Sequence, residues 1–191
     1  MNDIKPILQY ILLTFLIAWC AEAILILGER IGILTDASGP IIATAIIGIG
    51  AGMAPTYAVA ILLKKHGQIR GFKDFCGRIF KTGNVKKTII ITAVFYLIWV
   101  IKDIMLESYL GEPWYLFILL IPIMIIGGGL EEIGWRGFLQ PALEEKLPFA
   151  VAALIVGVIW AVWHFPLWLV QNASQSSFDI LSFTAYCITG S

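Results

Sequence analysis

The sequence predicts an all-α fold: a polytopic transmembrane helical bundle, with about five complete spans and the start of a sixth. Three observations predict it. Of 191 residues, 59% are hydrophobic and only 14% charged, where a soluble domain has about a quarter charged, and the mean hydropathy is +0.88. Apolar runs recur between polar breaks, long enough to cross a hydrocarbon core of about 30 Å, which takes roughly 17 to 25 helical residues. Eight of the thirteen Lys and Arg residues are gathered in one connection. The 13 basic residues balance 13 acidic ones, so net charge marks no nucleic-acid partner and membrane lipid is the surrounding expected.

The first run, Ile7 to Leu27, is too long and too poor in preceding positive charge for a cleaved signal peptide, so it stays as a span. Glu22 inside it reads as an interfacial or hydrogen-bonded carboxyl rather than a catalytic one. The second run, Pro40 to Leu63, carries no charge, and Gly48, Gly50 and Gly52 offer small faces for close packing. A third begins at Thr88 and fades at Lys102 and Asp103; a fourth starts near Trp114; a fifth runs from Pro148 to about Val170 with His164 inside it. Phe178 onward reads as the start of a sixth that stops at Ser191 after 14 residues, too short to span, so residues 1–191 read as one transmembrane domain incomplete at its C-terminus. Cys20, Cys76 and Cys187 lie far apart without C-x-x-C spacing, which predicts neither a disulfide nor a sulfur metal site.

Lys64, Lys65, Arg70, Lys73, Arg78, Lys81, Lys86 and Lys87 all fall between the second and third runs. The positive-inside rule makes this 64–87 loop cytoplasmic, and counting back through two spans puts the N-terminus on the same side. Within it, Gln68 to Lys81 interleaves Phe72, Phe75, Ile79 and Phe80 with basic residues, so it reads as a solvated loop or as an amphipathic helix lying in the interface.

The stretch GGGLEEIGWRGF, Gly127 to Phe138, sets Glu131, Glu132 and Arg136 directly behind an apolar run. Helix is expected to continue through these charges to about Glu145, because Ile133 to Leu143 is again mostly apolar with no break before Pro141. Leu147-Pro148 then becomes the turn of an antiparallel hairpin. Glu131 lies sixteen residues before Leu147 and His164 sixteen after Pro148, so at 1.5 Å per residue each stands about 24 Å from the turn and the two face each other at one depth. Ionisable groups placed there are costly and mark a functional site by default. Glu132 and Arg136, four apart, are spaced to pair, which leaves Glu131 to accept a proton. Trp160 sits one turn before His164.

The run EEIGWRGFLQPALEE, followed by WAVWH, resembles the first two motifs of the CPBP intramembrane proteases, the CAAX-prenyl-protease and bacteriocin-processing group also called Abi. Trp160 stands where that family usually has phenylalanine. The resemblance implies an intramembrane endopeptidase acting on a peptide or protein substrate, prenylated or carrying a leader. It implies that Glu131 activates the attacking water, that Glu132 and Arg136 support it, and that His164 contributes to a metal or oxyanion site. It also implies a multi-pass protein of a bacterial plasma membrane. Zinc is the metal the family suggests, yet Glu131 and His164 make at most two of the three protein ligands a catalytic zinc normally takes, and a metal-free glutamate mechanism stays open. The family's third motif, a later histidine followed by Asn or Asp, has no counterpart after His164. Two alternatives use the same charges: a transporter with an intramembrane relay, and a non-catalytic scaffold or bacteriocin-immunity-type protein of the same fold.

Overall fold

A segment in lipid has no water to satisfy its amides and carbonyls, so it must close its own hydrogen bonds. The computed structural model describes residues 4–34, 39–79, 86, 89–90, 93–94, 97–98, 100–101, 105, 121–122, 125–171 and 173–184, and among these every regular element is helical. The chain divides into two compact units, Met1–Gln68 with Met124–Ser191, and Ile69–Ile123. Three helices among the described residues are long and apolar enough to span a bilayer: Lys5–Arg30, Ile41–Lys65 and Phe149–Leu169. They correspond to the first, second and fifth runs. The third span, the first part of the fourth and the end of the sixth fall largely outside the described residues, as do Phe80, Lys81, Lys87 and Cys187.

In the first unit, α1 (Lys5–Arg30) starts with proline in its first turn, where the missing amide N–H costs no helical bond. One face of α1, Ile7, Tyr10, Thr14, Ala18, Glu22 and Leu25, is buried. The other presents Leu8, Leu12, Leu16, Ile24 and Leu27, Leu12 being 69% exposed; such an apolar exterior belongs against lipid tails. Glu22 therefore faces protein and is not interfacial.

The second span is a helix in pieces. Between α2 (Gly39–Ala45) and α3 (Ala54–Lys65) lies a wide, π-helical segment, Ile46–Gly52. It directly precedes Pro55, which cannot donate to the carbonyl four residues back. Of the three glycines read as packing faces, Gly50 serves that purpose, since a Cβ there would stand 3.0 Å from Ala21 Cβ of α1, whereas Gly48 has nothing within 4 Å.

The described part of the fourth span behaves similarly. A wide segment, Ile125–Gly129, leads to a single helical turn, α5 (Glu132–Gly134); a second wide segment, Trp135–Leu139, precedes α6 (Gln140–Glu144) and its Pro141. Helix continues past the charges almost to Glu145, as the apolar pattern requires, but with shifted register. The chain reverses at 145–148, and α7 (Phe149–Trp163) runs back to pack on α6. At His164 the backbone tightens into a 3₁₀ segment, Phe165–Leu169, because Pro166 cannot continue an α-helix.

Residues 180–184 are helical, opened by Asp179, whose Oδ1 accepts the Ser182 amide at 2.6 Å. Trp168 and Phe183 hold this turn against the 3₁₀ segment, with ring centroids 4.0 Å apart. In the second unit, α4 (Phe72–Ile79) is helix where a plain loop was one of two readings; it buries Phe75 and leaves Phe72 82% exposed. Cys20 and Cys76 are free.

Gly134 marks a close approach of α5 to both α1 and α3. A Cβ there would collide with the Tyr10 hydroxyl and stand 2.5 Å from Pro55 Cβ and 2.7 Å from the Pro55 carbonyl carbon. Gly134→Ala is therefore expected to lower stability by roughly 1–3 kcal/mol through overpacking. Gly137→Ala, whose Cβ would meet only the Glu132 carbonyl at 3.8 Å, should leave stability unchanged or raise it by up to about 1 kcal/mol. Thermal unfolding of both variants in one detergent checks the pair; equal melting temperatures would refute the close crossing.

Candidate active site

The four charged or ionisable residues singled out above lie in the first unit, on two neighbouring stretches of helix. Glu131 and Glu132 sit between the two wide segments, and the backbone around them is held from outside. Ile133 N–H reaches the Leu130 carbonyl at 3.3 Å, and the Thr56 hydroxyl of α3 donates to the same carbonyl. The break is thus closed by a neighbouring helix rather than by water.

From that turn the two carboxylates diverge, being successive residues about 100° apart around the axis. Glu132 Oε2 accepts Arg136 Nε at 3.1 Å. Arg136 Nη1 continues to Gln140 Oε1 at 3.2 Å, and Gln140 Nε2 to Glu144 Oε1 at 2.8 Å. The pair expected from spacing is present, but as the first rung of a ladder along one face. It is also not deeply buried, with 37% of the Arg136 side chain and 43% of Glu132 exposed. Gln140 and Glu144 were missed, although the four-residue step that selected Arg136 also selects them.

Glu131 turns toward α7, where Trp160 Nε1 donates to its Oε1 at 3.5 Å. His164 lies one turn further on, 6% exposed, its Nδ1 2.8 Å from the Trp160 carbonyl and its ring centroid 4.1 Å from that of Trp160. A carbonyl only accepts, so Nδ1 carries a proton in this contact. The Glu131 carboxylate thus meets Trp160, the residue one turn before His164, and the wide segment Trp135–Leu139 lies between Glu131 and the hairpin turn. Trp160, expected only as an aromatic plane beside the imidazole, bridges carboxylate and histidine through its N–H on one side and its carbonyl on the other.

Further aromatics seat the pair. Trp163 and His164 have centroids 4.6 Å apart, Trp135 packs edge-on to Trp163 at 5.7 Å, and Tyr10 of α1 packs edge-on to Trp135 at 5.8 Å. Where the helix tightens after Trp163, Trp19 Nε1 donates to the Trp163 carbonyl at 3.2 Å. A groove lined by Pro6, Leu62, Leu63, His66, Gln68 and Phe138 opens nearby, but none of the four site residues lines it.

For a metal, the donor set falls short. No group of three His, Cys, Asp or Glu side chains that could hold an ion occurs among the described residues, whereas a catalytic zinc normally takes three protein ligands. Glu131 and His164 by themselves do not fit that requirement.

The arrangement defines a class: a helical membrane protein with a carboxylate and a buried histidine held beside a broken helix. Residues 112–191 match the family model of the Type II CAAX prenyl endopeptidase Rce1-like proteins, and the comparison thereby returns the family that the two motifs resemble. The chain is also similar to CAAX prenyl protease 2 of Methanococcus maripaludis, 26% identical over 136 residues, which cover 64% of this chain and 50% of the relative. The match spans half the length of that curated relative. No solved structure matches.

The half-exposed Glu132–Arg136 pair is expected to contribute about 0.5–1 kcal/mol, not the several kcal/mol of a fully buried one. A double-mutant cycle with Glu132→Gln and Arg136→Ala, read by thermal unfolding in detergent, measures that coupling. A coupling indistinguishable from zero would mean that the pair adds nothing to the fold.

Proposed function

We propose that the whole protein is an intramembrane endopeptidase and that Glu131 is its general base. The observation that carries this reading is the unequal fate of the two adjacent carboxylates: Glu132 is engaged by Arg136, while Glu131 meets the weak donor Trp160, whose ring packs against His164. The Rce1-like match over the segment holding all four residues supports the same chemistry.

In this mechanism, water between Glu131 and the Nε2 side of His164 donates one hydrogen to each, which aims its oxygen lone pair at the scissile carbonyl. Glu131 takes the proton as the new C–O bond forms and returns it to the departing amine. The neutral His164 is an acceptor and orients the water; to donate to an oxyanion it would need a second proton, since its Nδ1–H is committed to Trp160. Trp160 is a positioning residue, and Glu132 with Arg136 fixes the turn that aims Glu131. The substrate class is a peptide held at the membrane. The name of the relative favours prenylated C-terminal peptides, and leader peptides are the second class to assay. The 64–87 segment and the N-terminus lie on the cytoplasmic side of a bacterial plasma membrane in this reading.

The test uses the full-length protein in liposomes with both peptide classes. Glu131→Gln keeps the shape of the side chain and removes the base, so cleavage is expected to fall by about 10²-fold or more with the melting temperature retained. Wild-type turnover by Glu131→Gln would end the reading. Trp160→Phe, which keeps the ring and removes the donor, should lower kcat by about tenfold or less with KM unchanged, in keeping with one long hydrogen bond. A change confined to KM would instead place Trp160 in substrate binding.

A further inference from the structure

Four residues of α1, Tyr10, Thr14, Ala18 and Glu22, follow one another at steps of four and form a single buried line about 18 Å long. The Tyr10 and Thr14 hydroxyls approach one another without a hydrogen bond of proper geometry, and Glu22 Oε2 has no hydrogen-bond partner among the described residues. Two more such atoms belong to residues close to this line, Trp135 Nε1 and Trp163 Nε1. Residue exposures are 0% for Tyr10 and Thr14, 1% for Glu22 and Trp135, and 4% for Trp163.

These atoms share one seam. Tyr10 packs edge-on to Trp135, Trp135 packs on Trp163, and the Trp19 bond to the Trp163 carbonyl ties the end of α7 to α1 between Thr14 and Glu22. Ala18, itself fully buried, supplies only a methyl group at that level. Beyond Glu22 the seam closes, with Leu25, Leu167 and Val170 forming an apolar plug. At the other end the Tyr10 hydroxyl packs against Gly134, two residues after Glu132. Buried polar atoms this numerous are not left bare in native proteins; where the site is polar and wide enough, internal water bridges them.

We propose that the 10–14–18–22 line of α1, with the indoles of Trp135 and Trp163, encloses a file of ordered water molecules that begins beside Glu131 and ends on Glu22. Its use rests on the hydrolytic reading: the file keeps water within reach of the general base at a depth where lipid excludes it. Glu22 is then a water-binding positioning residue, since it lies far from the reacting atoms.

Hydroxyl-radical footprinting of the full-length protein in nanodiscs, with radicals generated in place by X-rays and read by mass spectrometry, tests the file directly. Internal water marks the side chains around it, so Tyr10, Trp135 and Trp163 are expected to react despite their burial. Thr14→Leu, which fills the seam, should slow labelling of Tyr10 and Trp135 by about fivefold or more. Glu22→Leu should slow Trp163 more than Tyr10. If Thr14→Leu does not fold, Thr14→Val, equal in shape but lacking the hydroxyl, gives the same comparison. Unlabelled Tyr10 and Trp135 in the parent protein, or rates unchanged in the variants, would overturn the proposal. Cleavage measured on the same samples separates the two readings: labelling without hydrolysis keeps the water file and removes the peptidase, and hydrolysis without labelling does the reverse.

Discussion

The rest of this structure depends on one constraint: a helix that breaks inside lipid must find a partner for each carbonyl the break releases. The first unit meets it twice with a side chain from another span. Thr56 donates to the Leu130 carbonyl beside the carboxylates, and Trp19 donates to the Trp163 carbonyl beside His164. Both breaks occur at site residues, and both donors come from the two spans nearest the N-terminus. The Rce1-like segment begins at residue 112, so the part of the chain that carries the motifs leans on a part that does not. A break without its donor would leave an unsatisfied backbone group where several kcal/mol are at stake, which is why these helices cross so closely at Gly134 and Pro55.

The breaks also decide how the charges are aimed. The wide segment Trp135–Leu139 lies between the carboxylates and Pro141. Trp160 links the two sides of the site, because its N–H meets the Glu131 carboxylate while its carbonyl holds the imidazole. Phenylalanine would offer Glu131 no donor.

Much of this was legible beforehand. Hydropathy alone places the first, second and fifth spans, since an apolar run of span length has no other stable home, and the four-residue step between Glu132 and Arg136 is enough to pair them. What escaped depends on register and on neighbours. The wide segments leave no periodic trace, because glycine and proline announce a break without saying how many residues it absorbs. Glu22 reads from the sequence as interfacial or hydrogen-bonded, whereas its burial is decided by the helix face it shares with Tyr10 and Thr14. The depth of the ion pair was overestimated for the same reason: spacing shows that Glu132 and Arg136 meet, not that the face on which they meet is open.

Two identical residues side by side therefore end in different chemistry. Glu132 lies on the face that continues through Arg136 and Gln140 to Glu144, where each side chain has a complementary one four residues on. Glu131, about 100° around the same turn, meets the Trp160 indole N–H. The direction in which Glu131 points is thus a property of the broken helix, and Thr56 and Trp19, which donate to the carbonyls at its breaks and beside His164, help to hold it.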